Sequence, residues 1–173
     1  MRSVIIFLFS LFIFFIIIAL VGLLLPSKVT ITKSVLINAT SDRIRSQILD
    51  FNNWKNWYPP LQNENVSVIA NPPKKNALRS VSVKDYKGEQ VDFDLIYTSR
   101  DTLVVAVKSQ SSTKLYYQFL LIPHLSGKMQ LTLNVNTVFK WYPWEKIKGV
   151  FLDKISGPQY EAALSNLKKL VEK

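Results

Sequence analysis

The chain has 173 residues and carries 22 lysines and arginines against 12 acidic side chains, a net charge of +10. It contains no cysteine, which excludes disulfides, thiolate metal sites and cysteine nucleophiles together, and its one histidine excludes a metal site built on two imidazoles. The basic residues are scattered, with Lys74-Lys75 and Lys168-Lys169 as the adjacent pairs, so the dense basic block with interleaved aromatics of a nucleic-acid footprint is missing and no nucleic-acid partner is expected.

Val4 to Leu25 is an unbroken uncharged run in which only Ser10, Ala19 and Gly22 interrupt large apolar side chains. As a helix rising ~1.5 Å per residue, it reaches across the ~30 Å hydrocarbon core of a bilayer. A secretory signal has a shorter apolar region, ~7–15 residues, ending at a small-x-small site, and Ala19-Leu20-Val21 makes a poor one. Residues 1–26 therefore read as a retained single-pass anchor, with a removed signal peptide as the alternative. No cysteine follows the run, which excludes a lipoprotein. Arg2 and the α-amine on one side nearly balance Lys28 and Lys33 on the other. That near-tie leaves the side of the membrane open; the short basic lead resembles an N-in signal anchor, which would place the rest of the chain outside the cytoplasm. The sequons Asn38-Ala39-Thr40 and Asn65-Val66-Ser67 matter only in a glycosylating pathway. Pro26-Ser27 leaves little tether, so residues 27–173, the usual size of one domain, must lie close to the headgroups, where positive charge suits anionic lipid. A solvated basic surface with no partner is the plainer alternative.

Thr30 to Asn38 reads as a strand, Ile31, Val35 and Ile37 alternating with Thr30, Ser34 and Leu36. Thr40 or Ser41 can cap the following helix, with Asp42 in its first turn and Ile44, Ile48 and Phe51 on one face. Phe51 to Tyr58, closed by Pro59-Pro60, predicts a second short helix or turn. From Asn65 to Lys140 the period becomes two, giving strands at Val66–Ala70, Leu78–Lys84, Gln90–Thr98, Thr102–Lys108, Lys114–Ile122 and Lys128–Phe139. Turns fall at Pro72-Pro73, Lys87-Gly88, Arg100-Asp101, Gln110-Ser111-Ser112 and Ser126-Gly127. Val91, Phe93, Leu95 and Tyr97 oppose Asp92 and Asp94, and Leu131, Leu133 and Val135 oppose Thr132, Asn134 and Asn136, as in an antiparallel sheet covered on one face. The cover is a C-terminal helix of nearly 30 residues. It carries one stripe of Ile147, Val150, Phe151 and Ile155 and a second of Tyr160, Ala163, Leu164, Leu167 and Val171. Pro158 marks the expected bend between them. The layout is α+β.

Three segments in this order resemble the START-like or Bet v 1-like superfamily, also labelled SRPBCC or polyketide cyclase/dehydrase. Thr32 to Ala39 is similar to its opening strand, Ile48 to Trp57, with Asp50, Trp54 and Trp57, to the segment after its first helix, and Gly157 to Lys168 to its closing helix. The likeness spans about Val29 to Lys173. The chain departs from the pattern at Asn71 to Asn76, where many relatives carry a glycine-rich stretch with a further tryptophan. The resemblance implies a helix-grip fold, a curved antiparallel sheet of six or seven strands around the long C-terminal helix, often with an apolar cavity between them. Such folds serve lipid carriers, hormone binders, cyclases and co-chaperones, so the fold does not choose a function.

The candidate cavity residues are Trp54, Trp57, Phe93, Tyr97, Tyr117, Phe119 and Phe151. Trp54, Trp57 and Tyr58 suit a gate, a lipid contact or plain core packing, and Trp141-Tyr142-Pro143-Trp144 invites the same readings. His124 follows Pro123 at a strand end and reads as a turn residue. Asp92 and Asp94 share a strand face and can do acid–base work or bind calcium, but their alternation with Phe93 and Leu95 places them on a solvated outer surface. Asp85 and Glu89 read as hairpin polars. No nucleophile elbow, phosphate loop or dinucleotide fingerprint occurs, so no catalytic residue, cofactor or metal is expected. The expected function is membrane-tethered binding of a hydrophobic or amphipathic small molecule, a lipid among them. A cyclase-type enzyme and an interaction module working through the basic surface are the alternatives.

Overall fold

The computed structural model describes residues 2–62, 67–72, 77–84, 90–109 and 114–173. Helix α1 (Arg2–Leu24) is long and apolar enough to cross a bilayer and is almost wholly exposed. Strand β1 (Lys28–Ile37) follows, then α2 (Ser41–Leu49) and two 3₁₀ turns, Phe51–Asn56 and Pro59–Leu61. Strands β2 (Ser67–Asn71), β3 (Arg79–Lys84), β4 (Gln90–Thr98), β5 (Thr102–Ser109), β6 (Lys114–Pro123) and β7 (Met129–Val138) come next, and α3 (Pro143–Val150) and α4 (Leu152–Val171) close the chain. The expected turns at Lys87-Gly88 and Gln110-Ser111-Ser112, Asp85, Glu89 and most of the departing segment lie outside the described residues.

The strands form one curved, seven-stranded antiparallel sheet in the order β1-β7-β6-β5-β4-β3-β2. Hairpins join β2 through β7 in sequence, and β1 returns to pair with β7 from Lys28 opposite Val138 to Ile37 opposite Met129. On the wet face of that pair Thr30 donates to Asn136 (2.8 Å) and Thr32 to Asn134 (2.9 Å). Opposite them Ile31, Leu131, Leu133 and Val135 are buried, the alternation expected of a sheet covered on one side.

The cover is α4, whose buried stripe is Tyr160, Ala163, Leu164, Leu167 and Val171. Lys33 ties it to β1 through Asp153 (3.2 Å) and Glu161 (2.8 Å). Gly157 lies beneath this pair, where a Cβ would stand 2.6 Å from Asp153 Oδ1 and 3.2 Å from Lys33 Nζ, the movable ends of both side chains. Two expectations about the C-terminal helix are corrected. The break falls at Phe151, whose backbone N–H closes a tight turn onto the Lys148 carbonyl (3.2 Å), while α4 continues as one helix across Pro158. The stripe containing Val150, Phe151 and Ile155 faces away from the sheet and is exposed. Because α3 is a separate helix, the spacing that would have aligned this stripe with the α4 stripe is lost.

Thr40 caps α2 by accepting from Arg43 N–H, and Ile44 and Ile48 point into the core. Arg45 on the other side of α2 clamps the β4–β5 turn, donating to the carbonyls of Ser99 and Arg100 and to Thr98 Oγ1. The short helices are thereby fixed against one end of the sheet.

Candidate functional site: a two-chambered apolar cavity

The 3₁₀ turns supply one wall of the interior. Trp54 and Trp57 are fully buried, with indole N–H groups donating to the carbonyls of Ile48 (2.9 Å) and Gln47 (3.4 Å). Rings of Phe51, Trp57, Tyr58, Phe93 and Phe119 surround Trp54 at centroid distances of 5.0–6.1 Å. With both polar edges satisfied and all faces covered, these tryptophans and Phe119 are core, and the gate or lipid-contact role is corrected for Trp54 and Trp57.

Beyond this cluster, space remains between the sheet and α4. One chamber, of about 470 Å³, is walled by Tyr58, Val83, Phe93, Val107, Leu115 and Tyr117, with Gln159 and Tyr160 reaching in from α4. A second, of about 330 Å³, lies under α3 and the start of α4, among Thr137, Phe139, Glu145, Lys148, Leu152 and Ser156. Val107, Ser109, Leu115 and Tyr160 border both. Volumes of this size match small-molecule sites of ~300–1,000 Å³.

The exposed surface of both chambers is mainly apolar, and each holds a set of polar side chains. In the first chamber the hydroxyls of Tyr58 and Tyr117 share a hydrogen bond of 2.7 Å, and the Tyr160 ring stands edge-on to Tyr117 at 5.8 Å. Burial pushes the phenols of Tyr58 and Tyr117 far above their ordinary range and raises Tyr160 in the same direction. All three are therefore neutral near pH 7 and serve as hydrogen-bond partners, not as bases. In the second chamber Thr137 Oγ1 is buried without a hydrogen-bond partner among the described residues. Nearby, Glu145, mostly shielded, pairs with Lys148 at 3.5 Å. An orphaned hydroxyl beside an ion pair is a place for the polar end of an amphiphile.

Of the residues nominated from sequence, Phe93 and Tyr117 line the first chamber, while Trp54, Trp57 and Phe119 pack behind it. Tyr97 and Phe151 do not reach the interior and are 52 % and 54 % exposed. For Tyr97 the cause is a bulge: Leu95 pairs with Val105 but Tyr97 with Val104, so the extra residue turns Tyr97 to the outer face. Asp94 is corrected in the opposite sense. It lies on the outer face yet is 1 % exposed, accepting from Ser80 Oγ (2.8 Å) and paired with Lys108 Nζ (2.8 Å). Asp92 accepts from Ser82 Oγ and Gln90 Nε2 in the same polar layer. Neither carboxylate touches the cavity. His124 caps its own turn through Ser126. Sequence reasoning missed Thr137, Glu145 and Tyr160 as cavity residues. Thr137 carried a signal: by period two it follows Leu131, Leu133 and Val135 on the dry face.

No protein-family model matches the chain, and no curated protein matches it significantly. Solved structures do. A START superfamily protein from Mycobacterium smegmatis superposes with a TM-score of 0.58 at 16 % identity, over 83 % of this chain and 97 % of that one. An aromatase/cyclase from Streptomyces sp. R1128 gives 0.57 at 15 %, over 84 % and 94 %. A protein of unknown function from Staphylococcus aureus gives 0.64 at 11 %, over 84 % and 94 %. Together with the strand order and the gripped C-terminal helix, these likenesses show that the chain has the START-like helix-grip fold.

Proposed function

We propose that the protein binds a hydrophobic or amphipathic small molecule, a membrane lipid or a lipid-like product, between the sheet and α4. Residues 1–26 tether the binding domain, residues 27–173, to the bilayer and leave it on the extracytoplasmic side. The observation that carries this reading is the pair of adjoining apolar chambers, with neutral phenols in one and the orphaned Thr137 hydroxyl in the other. A chain entering them gains ~0.8 kcal/mol per buried methylene, enough to drive association without any charged contact. A fold shared with a START superfamily protein and an aromatase/cyclase is compatible with either binding or cyclisation. The tether supports binding of a ligand that already resides in the membrane.

A cyclase-type reaction is the second reading, and Glu145 at the second chamber is the observation in its favour. Its pairing with Lys148 and the neutral state of the three phenols favour binding over proton abstraction. The test is organic extraction of the full chain purified from membranes, followed by mass spectrometry. One apolar compound in stoichiometric amount is expected. A chain that carries no such compound and takes up none from added lipid contradicts the reading, and a compound chemically altered on incubation transfers the case to the cyclase alternative.

A further inference from the structure

The anchor does more than lead into β1. Its last turn packs against α3: a Cβ placed on Gly22 would stand 2.1 Å from Pro143 Cβ and 2.6 Å from Pro143 Cα, so only glycine permits this approach. Lys146, 8 % exposed, bridges the same two helices by donating to the Leu23 carbonyl (3.4 Å). Just beyond, Phe139 N–H donates to the Ser27 carbonyl (2.9 Å). Pro143 is thereby held at the depth of Gly22, within the last turn of the apolar span. The residues around it are those that have no place in the core. Trp141 and Trp144 are 75 % and 64 % exposed, and Val150, Phe151 and Ile155, further along α3 and into α4, are exposed as well.

Resting on the reading of α1 as a membrane span, we propose that α3 and the first turn of α4 form a docking face for the bilayer that α1 crosses, seated at its headgroup–acyl boundary. Trp141, Trp144, Phe151 and Ile155 are the inserted side chains. Three observations select lipid as the occupant. The face is continuous with the end of the span, so whatever covers the last turn of α1 covers Pro143 as well. Its two tryptophans are of the kind that collects at membrane interfaces, where an apolar ring and a polar N–H are both accommodated. Its exposed flanking charges, Lys28, Lys140, Lys148 and Lys154 against Asp153 and the half-buried Glu145, are net positive, as attraction to anionic headgroups requires.

The docking face also places the cavity. The second chamber is bordered by Glu145, Lys148 and Leu152 from this same segment and by Ser109, Leu115 and Thr137. Lys28, Val138 and Lys114 lie side by side in the sheet at the end where the tether enters, and Leu115 and Thr137 are their immediate neighbours. The second chamber thus lies at the membrane end of the domain.

The chain supplies its own probe. Of its four tryptophans, Trp54 and Trp57 are sealed in the core and Trp141 and Trp144 stand on the proposed face. The full chain is reconstituted in phosphatidylcholine/phosphatidylglycerol vesicles whose acyl chains carry bromine at shallow or deep positions. Shallow bromines are expected to quench the emission of Trp141 and Trp144 more strongly than deep ones, and the Trp141→Phe/Trp144→Phe double variant is expected to lose the quenchable component. Unchanged emission from a chain that resists alkaline carbonate extraction overturns the docking face while leaving the anchor standing. Extraction by carbonate overturns both. Disulfide-linked dimers of a Trp144→Cys variant, formed without quenching in the parent, assign the face to a second copy of the chain and overturn the proposal.

Discussion

Val107 offers the sharpest perturbation of the binding site. It is buried on β5, opposite Phe93 on one side and Leu115 on the other, and borders both chambers. A Val107→Phe ring projects into their shared space and takes up the room of about two ligand methylenes. At ~0.8 kcal/mol each, the loss is about 1.6 kcal/mol, or about fifteenfold in Kd. Because the ring enters open volume, the ~1–3 kcal/mol penalty of overpacking a filled core is not incurred, and the unfolding midpoint should hold. The assay is titration of an environment-sensitive fatty-acid probe onto the full chain in nanodiscs. Val104→Phe is the control, since Val104 pairs with Tyr97 on the outer face. Equal probe affinity in Val107→Phe and wild type, with both folded, would refute the assignment of the chambers as the binding site.

Trp54→Ala should cost about 3–5 kcal/mol of stability, read by denaturant unfolding, because it empties the centre of the aromatic cluster. A gate residue at a mouth would cost far less. Asp94→Ala should cost about 1–3 kcal/mol by leaving the buried Ser80 hydroxyl without its carboxylate acceptor, with no change in ligand affinity. For pH, the sign follows from Tyr58, Tyr117 and Tyr160, whose phenols are raised in the folded state by burial. The folded chain holds protons that the unfolded chain releases above about pH 10, so stability is full at neutral pH and declines above that point. The slope is about 1.4 kcal/mol per pH unit for each such tyrosine. Unfolding titrations from pH 7 to 11 check this, and Tyr117→Phe should make the decline shallower.

Alternation was a faithful guide wherever the two faces of a strand differ in polarity. β4, β6 and β7 run close to the bounds that their patterns predict, and the cap at Thr40 set the start of α2. The seven-stranded sheet around α4 was legible from the order of elements. Four things were not. A bulge inserts one residue without altering composition, so Tyr97 reads inward by period two and stands outward in the sheet. Aromatics read alike whether they seal a core or line a mouth, and only the satisfied indole N–H groups of Trp54 and Trp57 separate the cases. The stripe through Val150, Phe151 and Ile155 has helical spacing like a core stripe, and its exposure follows from the way α3 packs on α1, a contact between residues more than a hundred positions apart. The cavity was expected as a consequence of the fold, but its polar residues, Thr137, Glu145 and Tyr160, come together only through pairing of β5, β6 and β7 and the seating of α3 and α4.

The most direct measurement is photo-crosslinking. A diazirine-bearing phospholipid is incorporated with the full chain in vesicles, and the adducts are mapped by peptide mass spectrometry. Adducts on Val107, Leu115 and Tyr160, in addition to those on α1, are the predicted result. Adducts confined to α1 and to the exposed side chains from Trp141 to Ile155 would mean that lipid touches the protein only from outside, contradicting an apolar guest between sheet and helix.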